Sequence, residues 1–287
     1  MGPRWDTFLN LKGIVGQSTK NRSGARIIGI ITVANRHDPQ AWKALEECDW
    51  VEFRGDFWEP SRILSELHSF RSECRSRLGH TLETLFTLRL KRDGGQWLDS
   101  NAADRDKIWL SIGLDSKDCP CEWIDLELEV LPLLTPALKK VLSHRFVKVI
   151  VSHHNLISSY PAQELNRIGH ELISWGYEGQ KMAVTCQDRL EALDLMRFAR
   201  EFNRPGKNIC VLSMGLPARS TRVLGPILGC PLTYGFLSGD AIAPGQLSAH
   251  QLAQFFSSLA GTAPVHGSDS ELLDWAEAHL SGDTFAN

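Results

Sequence analysis

Short β-branched segments and longer segments with helical periodicity alternate eight times along this chain of 287 residues. The first pair shows the pattern: RIIGIITV at 26–33 is typical of a buried strand, and Asp38-Pro39 then supplies a helix N-cap followed by proline. Strict alternation of strands and helices predicts parallel strands joined by helical crossovers. Eight such units across residues 26–259 predict an α/β fold of one domain, the (β/α)₈ TIM barrel.

The predicted strands cover residues 26–33, 50–56, 84–91, 122–129, 147–153, 181–185, 209–214 and 232–237. The first predicted helix begins at Pro39, and the others cover residues 61–77, 103–112, 135–143, 161–175, 188–202, 221–228 and 248–259. We expect an N-terminal extension at 1–24, the barrel at 25–262, and a C-terminal extension at 263–287 with a helix at 271–280. A doubly wound open sheet is the alternative, but the glycine-rich turn typical of its first strand is absent from residues 34–37.

Composition excludes several classes of protein. Apolar residues make up 43% of the chain and charged residues 23%, which is typical of a globular domain. The net charge of −3, without a Lys/Arg-rich face, predicts that the protein binds no nucleic acid. No apolar run approaches the ~18 residues of a membrane span, and the first ten residues do not form a signal peptide, so we expect a cytoplasmic protein. The seven cysteines include one close pair, Cys119 and Cys121, but no zinc or disulfide pattern.

Charged residues fall on a strand face that should point into the barrel. Successive side chains alternate between faces, so Glu52, Arg54 and Asp56 share one face of the second strand, and Val51 and Phe53 take the other. Because the apolar face should pack on the helices, the charged face should point inward. An unpaired charge is costly to bury, so these three side chains must be paired or functional.

The same alternation brings polar groups from other strands to the same interior. These are Arg89 in the third strand, Asp125, Glu127 and Glu129 in the fourth, His154 in the fifth and Lys181 in the sixth. Each could be structural: an ion pair, a hydrogen-bonded histidine or a solvated lysine. Because His153 and His154 are adjacent, at most one should enter the interior.

This combination of side chains suits proton abstraction next to a carbonyl group. A lysine in apolar surroundings gives up its proton more readily, and the neutral amine can form a Schiff base with a ketone. A histidine can act as general acid and base. Arginines can hold a substrate carboxylate through two parallel hydrogen bonds.

Several ordered segments resemble the type I 3-dehydroquinate dehydratases. They are VEFRGD at 51–56, FTLRLKRDGG at 86–95, WIDLELE at 123–129, VIVSHHN at 149–155 and KMAVTCQ at 181–187. Ser213-Met214-Gly215, Arg222 and APGQ at 243–246 extend the resemblance almost across the predicted barrel. The resemblance implies a (β/α)₈ hydro-lyase of the shikimate or quinate pathway that converts 3-dehydroquinate to 3-dehydroshikimate. It further implies a homodimer and the absence of a metal or organic cofactor.

Residue roles also follow from this resemblance. Lys181 is similar to the Schiff-base lysine, His154 to the catalytic histidine, and Glu52 to the carboxylate that orients this histidine. The substrate-binding positions are Arg54, Arg89, Arg222, which resembles the carboxylate-binding arginine, and Gln246. Asp125 resembles a supporting residue beneath the site.

The chain departs from the family pattern at several positions. Asp93 stands where many members have Glu, and Ile242 where many have Ser. Thr185-Cys186 replaces the usual Met-Pro. Two alternatives therefore stay open: a dehydratase-like regulatory protein of the fungal quinate-repressor type, and a class I aldolase or transaldolase with a Schiff-base lysine.

Overall fold

The computed structural model describes residues 26–98, 102–114, 116, 118–144, 146–203, 209–215, 219–259 and 268–281. Within these ranges the strands are β1 Arg26–Ile31, β2 Trp50–Arg54, β3 Glu83–Thr87, β4 Trp123–Glu127, β5 Lys148–Asn155, β6 Gly179–Thr185, β7 Ile209–Met214 and β8 Leu232–Phe236. The helices are α1 Pro39–Leu45, α2 Ile63–Leu78, α3 Ala102–Ser111, α4 Pro136–Ser143, α5 Ala162–Ser174, α6 Arg189–Phe202, α7 Thr221–Ile227, α8 Ala249–Ser258 and α9 Asp269–Leu280.

All eight strands are parallel, and each pairs with its neighbour in the chain from β1 to β7, while β8 pairs with β1. The sheet therefore curls until β7 faces β8. There the Cys210 thiol donates a hydrogen bond to the Leu232 carbonyl oxygen at 3.2 Å. The result is a nearly closed barrel with helices between its strands, which confirms the predicted (β/α)₈ fold.

Strand alternation separates two apolar layers. Side chains such as Val51 and Phe53 point outward into the core shared with the helices, as predicted. A smaller set, including Trp50, Leu85 and Ile150, fills the barrel interior. Trp50 and Trp123 pack at 4.8 Å near the amino ends of their strands. Apolar packing therefore fills this end, and the polar side chains are left for the carboxyl end of the barrel.

Several strand ends differ from the prediction, and local pairing explains the differences. β2 stops at Arg54, because the chain turns at Gly55–Phe57 and the Asp56 carboxylate binds back to the Arg54 guanidinium. β5 continues to Asn155, because His154 and Asn155 still pair with residues of β6. His154 therefore lies one residue before the end of β5.

The structure describes one of the two predicted extensions of the barrel. The predicted N-terminal extension, residues 1–24, lies outside the described residues. The predicted C-terminal helix at 271–280 corresponds to α9. This helix packs on α6 and α7. Ion pairs join it to α6, with Arg189 2.5 Å from Asp274 and Arg200 2.8 Å from Asp269.

Candidate functional site

A cavity of about 270 Å³ opens at the carboxyl ends of the strands. Active sites of this fold are built at that end. Seven of the eight predicted site residues line the cavity: Glu52, Arg54, Arg89, His154, Lys181, Arg222 and Gln246. The eighth, Asp125, is completely buried beneath them and contacts two of them.

Lys181 reaches the cavity from β6 with only 5% of its surface exposed. Its Nζ atom lies 3.3 Å from Asp125 Oδ2 and 4.5 Å from the centre of the Tyr234 ring. The amine is thus held from one side by a carboxylate and from another by an aromatic face. These two contacts restrict the orientation of the Nζ atom, and a restricted orientation favours nucleophilic attack on a bound substrate.

Asp125 connects Lys181 to the rest of the buried polar network. Its Oδ2 atom lies 2.6 Å from Arg89 Nη2, and its Oδ1 atom accepts a hydrogen bond from Ser152 Oγ at 2.5 Å. Burial opposes ionisation of this carboxyl, but Arg89 and Lys181 outweigh it and hold the pKa of Asp125 well below its usual value. The carboxylate therefore stays charged and can fix Lys181 and Arg89 together.

His154 lies on β5, the strand next to Lys181, and faces the same cavity. Its Nδ1 atom is 3.5 Å from Arg89 Nη1. Burial, together with the positive charges of Arg89 and Lys181, lowers the pKa of His154 well below its ordinary 6.5. At neutral pH the imidazole is therefore uncharged and able to accept a proton.

His153 points away from the cavity, as the alternation of β5 requires. Its Nδ1 atom lies 2.5 Å from Glu129 Oε1, and its Nε2 atom lies 3.0 Å from the hydroxyl of Tyr160. The structure therefore separates the two histidines in the way that the sequence predicts.

The remaining acidic and basic residues of β2 have partners within the site. Glu52 accepts a hydrogen bond from the Thr87 hydroxyl at 2.8 Å, and no hydrogen bond joins it to His154 among the described residues. Arg54 is held by Asp56 through two hydrogen bonds of 2.8 Å. The role of Glu52 in orienting His154 stays a prediction.

Arg222 differs from the other arginines of the cavity. Its side chain is 2% exposed and has no ion-pair partner in the described part of the chain. Burial lowers the pKa of Arg222 to about 10. A buried guanidinium without a counter-ion is costly, so this side chain is a ready partner for an anionic group in the cavity.

Gln246 fixes the loop that follows β8. Its Oε1 atom accepts hydrogen bonds from the backbone N–H groups of Ile242 and Ala243 at 3.1 and 3.4 Å. This closed turn places Ile242 in the wall of the cavity. Gln246 therefore binds its own loop, and its contact with substrate stays a prediction.

Two members of the site were not found from the sequence. Tyr234 is an inward residue of β8 that strand alternation alone could have shown. Arg105 comes from α3, is 2% exposed, and binds Glu127, which also lies 3.2 Å from Arg89 Nη1. No sequence signal marks Arg105, because an arginine on a helix normally faces solvent.

The turn after β3 brings Asp93 to the cavity and depends on two glycines. Gly94 adopts a left-handed conformation with φ +83°, and a Cβ atom on Gly95 would lie 2.0 Å from the Arg89 carbonyl oxygen. Any other residue at 95 would displace the backbone of Arg89. Burial raises the pKa of Asp93 to about 6, with a further contribution from the negative charge of Glu127.

We expect Asp93→Asn to stabilise the protein at neutral pH. A carboxyl whose folded pKa exceeds its unfolded value destabilises the fold increasingly as pH rises from 3.8 to about 6. Two pKa units correspond to at most about 3 kcal/mol, and solvent screening of this partly exposed carboxyl reduces the cost that the neutral amide avoids. Urea unfolding should show this gain at pH 7.5 and a narrowing gap towards pH 4, whereas exposed Asp240→Asn should have little effect. Equal stabilities of wild type and Asp93→Asn at pH 7.5 would contradict this assignment.

The described residues contain no group of three or more His, Cys, Asp or Glu side chains arranged for a metal ion. No helix in the described ranges is long and apolar enough to cross a membrane.

The fold and cavity define a (β/α)₈ barrel enzyme whose site combines a buried lysine, a histidine and several arginines. The profile of the type I 3-dehydroquinase family matches residues 30–263. A 3-dehydroquinate dehydratase of Methanosarcina mazei is 31% identical over 222 residues, covering 76% of this chain and 88% of the relative.

Solved structures agree with this result. A type I 3-dehydroquinate dehydratase from Clostridium difficile, carrying covalently modified comenic acid, is 26% identical, with a TM-score of 0.66 over 82% of this chain and 92% of the other. A 3-dehydroquinate dehydratase from Geobacillus kaustophilus shares the fold at 21% identity, with a TM-score of 0.70 over 84% and 93%. The chain belongs to the type I 3-dehydroquinase family, and the predicted family and hydro-lyase activity are confirmed.

Proposed function

We propose that this chain dehydrates 3-dehydroquinate to 3-dehydroshikimate through a Schiff base on Lys181. The observation that carries the proposal is that one cavity contains both a buried lysine and the guanidinium of Arg222, which has no ion-pair partner among the described residues. The substrate has a ketone and a carboxylate, and these two side chains match those groups. The Methanosarcina mazei relative bears the name of the same activity.

The chemistry follows from the positions of Lys181 and His154. Once it has given up its proton, the amine of Lys181 attacks the ketone, and loss of water gives an iminium ion that accepts electrons from the neighbouring carbon. His154, uncharged at neutral pH, removes the proton from that carbon. The same histidine then returns the proton to the departing hydroxyl group, which leaves as water. Hydrolysis of the conjugated iminium releases the product and restores Lys181.

The supporting residues act on these groups and on the substrate. Asp125 holds Lys181 and Arg89, while Glu52 carries a negative charge that acts on both Arg54 and Arg89. We propose that Arg54, Arg89 and Gln246 contact the hydroxyl and carboxylate groups of the substrate. Ile242 adds an apolar contact where many family members have a hydroxyl.

We expect Arg222→Leu to raise KM by about 10–100-fold, because a charge-assisted hydrogen bond contributes roughly 1.5–3 kcal/mol. Arg222→Lys keeps the charge without the two parallel donors and should lie between wild type and Arg222→Leu. Steady-state kinetics with 3-dehydroquinate measure this, with exposed Arg167→Leu as the control. A fall in kcat with KM unchanged would show that Arg222 does not bind the substrate carboxylate.

The direct test is incubation of the purified chain with 3-dehydroquinate. The product contains a conjugated enone, so ultraviolet absorbance should rise with time and enzyme concentration. A folded protein that binds 3-dehydroquinate without this rise would support the regulatory alternative instead.

We further propose that the chain forms a homodimer in the cytoplasm. The family resemblance supports the dimer, and seven cysteines without a disulfide support a reducing compartment. Light scattering of the protein as it leaves a size-exclusion column should give twice the chain mass of 32.1 kDa. The mass of a monomer would overturn the proposed homodimer. Fluorescence microscopy of the tagged protein in its native cell tests the location, and the signal should fill the cytoplasm.

A further inference from the structure

Cys119 and Cys121 form a pair at the end of the barrel opposite the catalytic cavity. They flank Pro120 just before β4, so they lie at the amino end of a strand whose carboxyl end faces the cavity. Their sulfur atoms are 3.6 Å apart and share a hydrogen bond. A disulfide has an S–S distance of about 2.05 Å, so the two sulfurs already lie close to bonding distance.

The two thiols differ in exposure and acidity. Cys119 is half-buried, while the other six cysteines are buried. The pKa of Cys119 is lowered, chiefly because the Cys121 thiol and backbone N–H donate hydrogen bonds to its sulfur, and these bonds outweigh the opposing effects of burial and of the negative charge of Glu122. The pKa of Cys121 is raised, because its proton is held in the bond to Cys119 and because it is buried. Cys119 is thus the reactive thiol of the pair, and Cys121 lies behind it.

The two cysteines lie in different surroundings, Cys121 beside an ion pair and Cys119 at the end of a turn. Glu122, next to Cys121, binds Arg71 at 2.6 Å and accepts a hydrogen bond from the backbone N–H of Thr84 at 2.8 Å. Cys119 ends a turn held by a backbone hydrogen bond of 3.2 Å to Ser116. Formation of an S–S bond therefore requires only that the turn ending at Cys119 brings its sulfur about 1.5 Å closer to that of Cys121.

We propose that Cys119 and Cys121 form a redox modification site that a hydroperoxide converts to an intramolecular disulfide. The Cys119 thiolate attacks the peroxide, its sulfur is oxidised to sulfenic acid, and the peroxide is reduced to water or an alcohol. The Cys121 thiol then attacks the Cys119 sulfur, the S–S bond forms, and hydroxide leaves with the thiol proton as a second water. A thiol reductant reverses the reaction by thiol–disulfide exchange, which restores both thiols.

Peptide mass analysis of the folded full-length chain tests the proposal. After treatment with hydrogen peroxide and alkylation of free thiols, the peptide with both cysteines should lose two hydrogens and resist alkylation. Dithiothreitol should restore both thiols. Cys119→Ser should prevent the change, and Cys74→Ser should not, because burial raises the pKa of Cys74 to about 12.

Cys121→Ser separates a reactive pair from a single reactive cysteine. Without Cys121 the sulfenic acid on Cys119 persists, so labelling with dimedone should be about tenfold or more above that of wild type. Equal labelling of wild type and Cys121→Ser would overturn the proposal. A wild-type chain that gives sulfinic acid, a disulfide elsewhere, or no reaction at all would also overturn it.

Discussion

Replacement of Lys181 should abolish turnover while leaving the barrel folded. Lys181→Arg places a positive charge next to Asp125, whose Oδ2 atom lies 3.3 Å from Nζ of Lys181, but a guanidinium does not form the iminium ion. We expect kcat to fall by at least about 10⁴-fold, which is roughly 5 kcal/mol of transition-state stabilisation. The measurement is the rate of ultraviolet absorbance increase with saturating 3-dehydroquinate.

Lys181→Met provides the matched comparison, because its unbranched side chain is only one atom shorter and carries no charge. Both variants should lack activity, although Lys181→Met also leaves Asp125 without one of its cationic partners. If Lys181→Arg retained activity within about tenfold of wild type, electrostatic stabilisation by the cation would explain the rate better than covalent catalysis. Circular dichroism would establish that both variants are folded.

The two adjacent histidines should respond very differently to substitution. His154→Ala removes the general acid and base from the cavity, and we expect kcat to fall by about 10²–10⁴-fold. His153→Ala removes only the contacts with Glu129 and Tyr160 on the other face of β5, so its kcat should stay within about tenfold of wild type. The same absorbance assay measures both.

The pH profile gives the His154 prediction a second readout. Because the pKa of His154 is lowered well below 6.5, the imidazole is neutral at pH 7. Protonation of this base, and the fall in rate that follows, should therefore occur only at lower pH. The acid limb of kcat/KM should therefore fall below pH 6.5 in wild type and disappear in His154→Ala. Similar losses for His153→Ala and His154→Ala would show that the site has been assigned to the wrong histidine.

Regular spacing made most of the fold predictable. Alternation of strand and helix segments led to the barrel, and β7 at Ile209–Met214 has the predicted bounds. The errors occur where tertiary contacts outweigh local pattern. The charged run after Glu52 predicted a longer β2, but the ion pair between Arg54 and Asp56 bends the chain into a turn. Such a pair is visible only when both side chains are placed in space.

The site residues, like the strands, could be predicted where they follow a regular pattern and not where they depend on tertiary contacts. Inward alternation identified Lys181, His154 and Asp125, because a charged side chain on an apolar strand is easily noticed. Tyr234 could not be distinguished in this way, because aromatic residues on buried strands are common in protein cores. Arg105 extends from α3 to bind Glu127 of β4. The periodicity of a strand or a helix does not predict a contact between two elements.

The covalent bond that we propose between Lys181 and the substrate ketone can be trapped chemically. Sodium borohydride added during turnover should reduce the iminium ion and leave a stable adduct on the peptide that contains Lys181. Lys181→Arg, treated in the same way, should carry no adduct. An adduct on a different lysine, or active wild-type enzyme without an adduct, would contradict the account.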